Sequence, residues 1–169
     1  MHREVRRREL PLAQLGDQRF DRVEVARADP GVANDASLVG VRLVKSLSTA
    51  ENVTGNIIEM GILPAYTQIL DAMLDSDSLA ASAMTMDVGI MSGTAGDTDA
   101  AGARTMDAVI FSASTIGVAG GIARATLKTM CRIVPTAADR GIGLKILLQG
   151  ATPAAGLIGL TLWYRSAPP

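Results

Sequence analysis

The residues whose chemistry could support catalysis are few. His2 is the single histidine of the 169-residue chain and stands at its second position. A Ser-His-Asp or Cys-His arrangement needs a histidine base held by a rigid scaffold, and a residue at the chain terminus offers none. Cys131 is the only cysteine, which excludes an intrachain disulfide and a cysteine metal cluster. Its apolar neighbours predict a buried structural thiol, and no catalytic residue is predicted anywhere.

A second chemical possibility lies in two pairs of aspartates, Asp75 with Asp77 and Asp97 with Asp99. Carboxylates two residues apart on loops can share a hard cation such as Ca²⁺. Aspartates in turns more often accept hydrogen bonds from their own backbone. A sugar site would also need stacking aromatics, and aromatics make up only 3% of the chain. No cofactor is therefore predicted, and a calcium- or carbohydrate-binding surface module stays as an alternative function.

The glycine-rich stretch from Gly150 to Gly159 is similar to the phosphate-binding turn of dinucleotide-binding domains. That turn needs a helix after it and an acidic ribose ligand about 20 residues further on. Only ten residues follow Gly159, and they alternate as a strand does. The stretch is therefore interpreted as a structural turn.

The secondary-structure elements that would position any site have their clearest sequence pattern in residues 141–165. Alternating apolar residues occur on both sides of the glycine-rich stretch, and two such runs joined by a turn predict a β-hairpin. The inward-facing rows of this hairpin are predicted to be Leu144, Ile146 and Leu148, then Ile158, Leu160, Leu162 and Tyr164. The alternative is a membrane-spanning helix over residues 146–164, which are uncharged and number roughly 20. Internal glycines, Pro153 and the strict alternation favour strands.

Further alternating runs occur upstream. Ser48 and Glu51 have the spacing of a helical capping box, but Gly55, Gly61 and Pro64 limit any helix there to about one turn. About eight strands with turn signals between them predict an all-β fold, an antiparallel β-sandwich or jelly roll that spans residues 37–166. Besides the final hairpin, the predicted strands cover residues 39–43, 57–63 (bent at a glycine), 66–74, 84–90, 108–112 and 123–133, with glycine-rich loops at residues 92–102 and 114–121.

Residues 1–36 differ in composition and are predicted to form an extended N-terminal arm, with one short strand around Val23 and Val25. Three consecutive arginines, Arg6, Arg7 and Arg8, are interleaved with acids, and the whole chain has a net charge of −1. Because the chain has no net positive charge, no nucleic-acid partner is expected. These arginines and Phe20 are the candidate partner-binding residues.

Three segments carry a resemblance to a known family: residues 56–64, residues 86–93 with the acidic loop that follows them, and residues 156–165 with their Tyr-Arg ending. Over residues 32–166 the chain resembles the small β-sandwich head proteins of tailed bacteriophages and gene-transfer-agent particles. Those proteins decorate or stabilise capsids.

The resemblance implies a non-enzymatic virion structural protein that acts through a symmetric β-sandwich and an N-terminal arm. The implied partners are a major capsid protein and copies of the chain itself, arranged as a homotrimer. The implied location is the capsid surface of the virion after synthesis in the bacterial cytoplasm, with no membrane contact.

Overall fold

The computed structural model describes residues 38–97 and 104–167. Strands dominate this part of the chain because short period-2 runs alternate with glycine, proline and aspartate turns. The predicted all-β class is confirmed, with ten strands rather than eight in the described residues. They are β1 (Val39–Leu47), β2 (Ile57–Leu63), β3 (Thr67–Ser76), β4 (Ala80–Ser82), β5 (Thr85–Met91), β6 (Met106–Ser114), β7 (Gly121–Arg124), β8 (Arg140–Leu148), β9 (Ala151–Pro153) and β10 (Gly156–Ser166), with a one-turn helix α1 (Ile116–Ala119) and a 3₁₀ turn (Met130–Arg132).

The strands form two four-stranded antiparallel sheets that pack face to face. Sheet A has the order β1-β10-β3-β7, and sheet B has the order β2-β8-β5-β6. A short ribbon of β4 and β9 closes one end. It is tied to the β1–β2 loop by the buried Asn52, whose Nδ2 donates to the carbonyl oxygens of Leu79 (2.8 Å) and Ala154 (3.3 Å). The architecture is a β-sandwich, as the alternation predicts.

The prediction that residues 141–165 form a hairpin is wrong. Both of its strands exist, but β8 lies in sheet B and β10 lies in sheet A. The edges of β10 are occupied by β1 and β3, and those of β8 by β2 and β5. The connecting stretch crosses from one sheet to the other and forms β9 on the way. Alternation indicates that a strand exists and which side is buried, but it does not identify the strand's neighbour.

The core lies between the two sheets and is made by the rows that alternation predicts to be buried. Sheet A contributes Ile158, Leu160, Leu162 and Tyr164 from β10, all at most 4% exposed. Sheet B contributes Leu144 and Ile146 from β8, whereas Leu148 at the strand end is exposed. Burial of these side chains at about 25 cal/mol per Å² of apolar surface is the main driving force for packing the sheets together.

Two predictions for residues 114–133 are wrong. The glycine-rich loop contains α1, and the long strand at residues 123–133 ends early, since β7 stops at Arg124. The chain then forms the 3₁₀ turn, in which residues three apart lie on the same side. Met130 and Ile133 are buried there, while Cys131 between them is exposed. The expected buried thiol is therefore a surface thiol.

The Ser48–Glu51 turn forms the predicted capping box without a helix after it. The Ser48 backbone N–H and Oγ donate to Glu51 Oε2 at 2.9 and 2.8 Å, and Lys45 Nζ lies 2.9 Å from Glu51 Oε1. The hydrogen bond from Lys45, followed by those from Ser48, lowers the pKa of Glu51 from 4.5 to about 2. The turn reverses the chain between the edge strands β1 and β2 of the two sheets.

The loop between β5 and β6 is fastened to sheet B by a buried ion pair that the sequence did not predict. Arg104 Nη1 contacts Glu59 Oε2 of β2, and both side chains are largely buried. Arg104 Nε also donates to the Ser92 carbonyl (2.8 Å), and Glu59 Oε1 accepts from the Gly96 N–H (2.8 Å). A Cβ at Gly141 would collide with Arg104 Nη2, so a glycine on β8 makes room for the pair. Breaking such a pair leaves a buried charge and costs about 3–5 kcal/mol.

Leu160→Asp should prevent folding, because it places an unpaired carboxylate among fully buried side chains. We expect the free energy of unfolding to fall by more than about 4 kcal/mol. The matched control is Thr161→Asp, on the same strand but on the opposite side and beside Arg42, which should change stability by less than about 1 kcal/mol. Thermal melting followed by circular dichroism measures both, and a normal melt for Leu160→Asp would contradict the observed register.

Glu51→Gln should remove one identifiable part of the pH dependence of stability. Because folding lowers the pKa of Glu51, its contribution is complete above pH 4.5 and is lost as the pH falls towards about 2. The side chain is about a third exposed, so screening limits the contribution to about 0.5–1 kcal/mol. Urea unfolding at several pH values should show wild type and variant converging in acid. A constant difference down to pH 2 would contradict this assignment.

Candidate functional site: the outer face of sheet A

The strand β10 presents a second row of side chains on the side of sheet A that faces away from the core. This outer face of sheet A includes Leu157, Thr161 and Trp163 of β10, with neighbouring outward residues from β1, β3 and β7. A solvated sheet face normally carries polar side chains in this row. Here much of the row is apolar.

Most of the large hydrophobic side chains that are exposed in the described residues lie on this face. Nine large hydrophobic side chains are exposed in the described residues as a whole, and five of these nine lie on the outer face of sheet A. Exposed apolar side chains that gather on one face are candidates for contact with another molecule. The five are Leu38 (59% exposed), Val44 (46%), Leu70 (41%), Ile122 (71%) and Leu157 (50%).

An ion pair crosses the middle of this face. Arg42 Nη2 of β1 lies 2.5 Å from Asp75 Oδ2 of β3, and the two strands are separated by β10. The pair passes over Gly159 of β10, where a Cβ would lie 2.5 Å from Asp75 Oδ1 and 2.7 Å from Arg42 Nη2. Glycine at this position therefore allows a bridge across three strands. As an exposed pair it adds little stability, but it provides polar contacts within an apolar surface.

A groove lies at the end of the face where β1 begins. It has a volume of about 420 Å³ and is lined by Leu38, Leu70, Asp71, Met73, Arg124 and Trp163. A β-bulge shapes it: the register between β10 and β3 shifts between Trp163 and Tyr164, so that Leu70 is an extra residue on β3. A bulge interrupts alternation, and Leu70 and Asp71 consequently both point outwards while Ile69 and Ala72 are buried.

The polar wall of the groove is the pair Asp71 and Arg124. Arg124 Nη2 contacts Asp71 Oδ2, and Arg124 Nε lies 3.2 Å from Asp71 Oδ1. The hydrogen bond from Arg124 lowers the pKa of Asp71, and the same contact raises the pKa of Arg124. Both groups are therefore charged at neutral pH, and the groove offers one anion and one cation beside an apolar floor.

Of the residues that the sequence singled out, Asp75 lies on this face, in the pair with Arg42. Arg6, Arg7, Arg8 and Phe20 lie outside the described residues, as does Asp99. Of the aspartates in the alternative cation site, Asp75 pairs with Arg42, and Asp77 Oδ2 accepts the Leu157 N–H at 2.8 Å. Within residues 38–97 and 104–167, no three acidic, histidine or cysteine side chains come close enough to hold a metal ion.

The signal for the outer face was present in the sequence. Val44 is apolar between the exposed Arg42 and Ser46, Leu157 is exposed next to the buried Ile158, and Ile122 alternates with the inward Ala123. Alternation alone assigns one apolar row to the core, so apolar residues on the opposite side of the same strands are candidates for contact with another molecule.

The interval from 146 to 164 contains the end of β8, all of β9 and most of β10, rather than the spanning helix that was the alternative prediction. No helix in the described part of the chain is long and apolar enough to cross a membrane.

The sandwich described above is similar to chains in two solved phage capsid structures. A chain in the capsid of Ralstonia phage GP4 is 37% identical, with a TM-score of 0.73, over 79% of this chain and 86% of that one. A chain in the capsid asymmetric unit of cyanophage Pam1 is 22% identical, with a TM-score of 0.59, over 90% of this chain and 100% of that one. The second likeness shows the shared fold. No protein-family model and no curated protein matches the chain.

The 37% identity over most of both chains shows the family. This chain belongs to the family of phage capsid proteins that includes the matched chain of the Ralstonia phage GP4 capsid. Its class is that of a virion structural protein, and the resemblance found in the sequence is confirmed at this level.

Proposed function

We propose that this protein is a non-enzymatic decoration protein that stabilises a phage capsid by binding its outer surface through the outer face of sheet A. The observation that carries the proposal is the concentration of exposed apolar side chains on that one sheet face. Its position in a family of capsid proteins indicates what kind of molecule covers the face.

The proposed partners are a major capsid protein and further copies of this chain, as a homotrimer. Covering Ile122, Leu157 and Val44 would contribute hydrophobic stabilisation of about 25 cal/mol per Å² before the costs of association are subtracted. Symmetric association lets one apolar face serve every copy. Light scattering of the purified chain measures the oligomeric state directly.

The residues 1–36 are proposed to act as an arm that strengthens attachment, with Arg6, Arg7, Arg8 and Phe20 as its contacts. An arm linked to a docked domain binds at high effective concentration, so even weak contacts add to the affinity. In this proposal, residues 37–166 fold on their own, and the arm contributes part of the binding to the capsid.

Substituting lysine for both Ile122 and Leu157 should weaken attachment to capsids that lack the protein. Loss of two buried apolar contacts and burial of two charges should lower the affinity at least about tenfold. The matched control is Val134→Lys, since Val134 is as exposed as Ile122 but lies on a loop and in none of the strands of sheet A. Co-sedimentation with purified capsids measures binding, and equal losses for variant and control would refute the proposed surface.

Deleting residues 1–30 should leave the sandwich folded and reduce attachment. Every core contact described above involves residues after position 38, so the melting temperature should change little. Thermal melting combined with sedimentation in the presence and absence of capsids distinguishes the two effects. Unfolding of the truncated chain would disprove the boundary at residue 36, and unchanged sedimentation would disprove the role of the arm.

A further inference from the structure

The groove on the outer face of sheet A lies next to Leu38. Leu38 is the first described residue and forms part of the groove wall. Residues 1–37 therefore join the domain at the rim of a groove whose other apolar walls are Leu70, Met73 and Trp163. The chemistry of the groove indicates which part of that segment fits it.

We propose that the groove binds residues 20–25 of the chain's own N-terminal segment, with Phe20 inserted against Trp163 and Met73. Phe20 is the only aromatic residue among residues 1–37. An apolar cavity of about 150 Å³ is enough to accept a benzene ring. The groove, with about 420 Å³, therefore has room for a phenylalanine side chain and part of the backbone that carries it. Contacts of an aromatic ring with an indole and with a thioether are both favourable.

The charges of the segment match those of the groove wall. In an extended chain, alternate residues share a side, so Phe20, Arg22 and Glu24 face the same way. Insertion of Phe20 brings Arg22 and Glu24 to the polar wall, where Asp71 offers an anion and Arg124 a cation. The segment thus supplies one apolar anchor and one charge of each sign, beside a wall that holds the paired Asp71 and Arg124, and complementary charges favour a defined register.

The length of the connection permits docking within one molecule. Eighteen residues lead from Phe20 to Leu38 and span up to about 60 Å when extended, which is ample for a return to the groove. A tethered segment has an effective concentration in the millimolar range. In a dilute solution of free protein it therefore outcompetes the same segment of a second copy. This inference concerns the free protein and holds whether or not the face also contacts a capsid.

The test uses Trp163, which is the only tryptophan of the chain, as a reporter inside the groove. In the full-length protein, Phe20→Ala should lower the docking equilibrium constant roughly tenfold. The emission of Trp163 should shift to longer wavelength, and its quenching by acrylamide should increase. The matched control Leu12→Ala, an apolar truncation in the same segment outside residues 20–25, should behave as wild type. Equal spectra for wild type and Phe20→Ala would overturn the proposal.

A synthetic peptide of residues 16–29 provides the converse experiment. Added to full-length Phe20→Ala, it should restore the wild-type emission in a saturable manner, and a peptide with scrambled order should not. No restoration would overturn the proposal. Below the concentration at which light scattering detects association of copies, the wild-type spectrum should also be independent of protein concentration. A spectrum that changes with concentration would assign the groove to a second copy and overturn docking within one molecule.

A crosslinking experiment maps the contact without removing the anchor. With p-benzoylphenylalanine incorporated in place of Phe20, illumination of the full-length protein should produce an intramolecular crosslink to Met73 or Leu70, identified by mass spectrometry. Crosslinks only to other parts of the domain, or only between molecules, would refute the assignment.

Discussion

The structure depends on the two-sided packing of β10. Its inward side chains, Ile158, Leu160 and Leu162, are at most 1% exposed and pack against sheet B. Its edges are both taken, by β1 and by β3. Its outward row carries Leu157, Gly159 and Trp163. One strand therefore organises the core, holds sheet A together and contributes to the outer face to which the proposed interactions are assigned.

Three glycines of the two sheets lie where a larger side chain would collide with a neighbouring side chain. On sheet A, Gly159 allows the Arg42–Asp75 pair to cross the strand. On sheet B, Gly141 makes room for Arg104, and a Cβ at Gly143 would collide with Met91. The chain's own loop between β5 and β6 thus lies over part of the outer face of sheet B, held by the buried Glu59–Arg104 pair. The outer face of sheet A has no comparable cover among the described residues, which is why the proposed interactions are assigned to it.

Much of the fold was predictable because its signal is local. Alternation gave the strand class, the buried row of β10 and the bend of β2 at a glycine, where the register shifts between Glu59 and Gly61. The sequence also predicted that Ser48 and Glu51 would form a capping box and that any helix after it would be limited to about one turn. Each of these depends on residues within a few positions of one another. The phage capsid resemblance was confirmed by similarity over most of the chain.

The features that escaped prediction depend on contacts between distant segments. The bulge at Leu70 shifts the alternation of β3 by one residue, which is why residues 66–74 match neither a strand nor a helix pattern cleanly. The pairing of β8 and β10 with different sheets is decided by which edges their neighbours occupy. Arg104 looks like an ordinary loop residue until Glu59, 45 positions away, is placed beside it. The exposure of Cys131 follows from the 3₁₀ turn that replaces the expected strand.

The most direct test of the central claim, that the outer face of sheet A is the surface covered in the virion, is a cryo-electron microscopy map of a particle that contains this protein. The account predicts that Ile122, Leu157 and Val44 are buried against a capsid subunit or a neighbouring copy. A map in which sheet A faces solvent while another surface contacts the shell would contradict it.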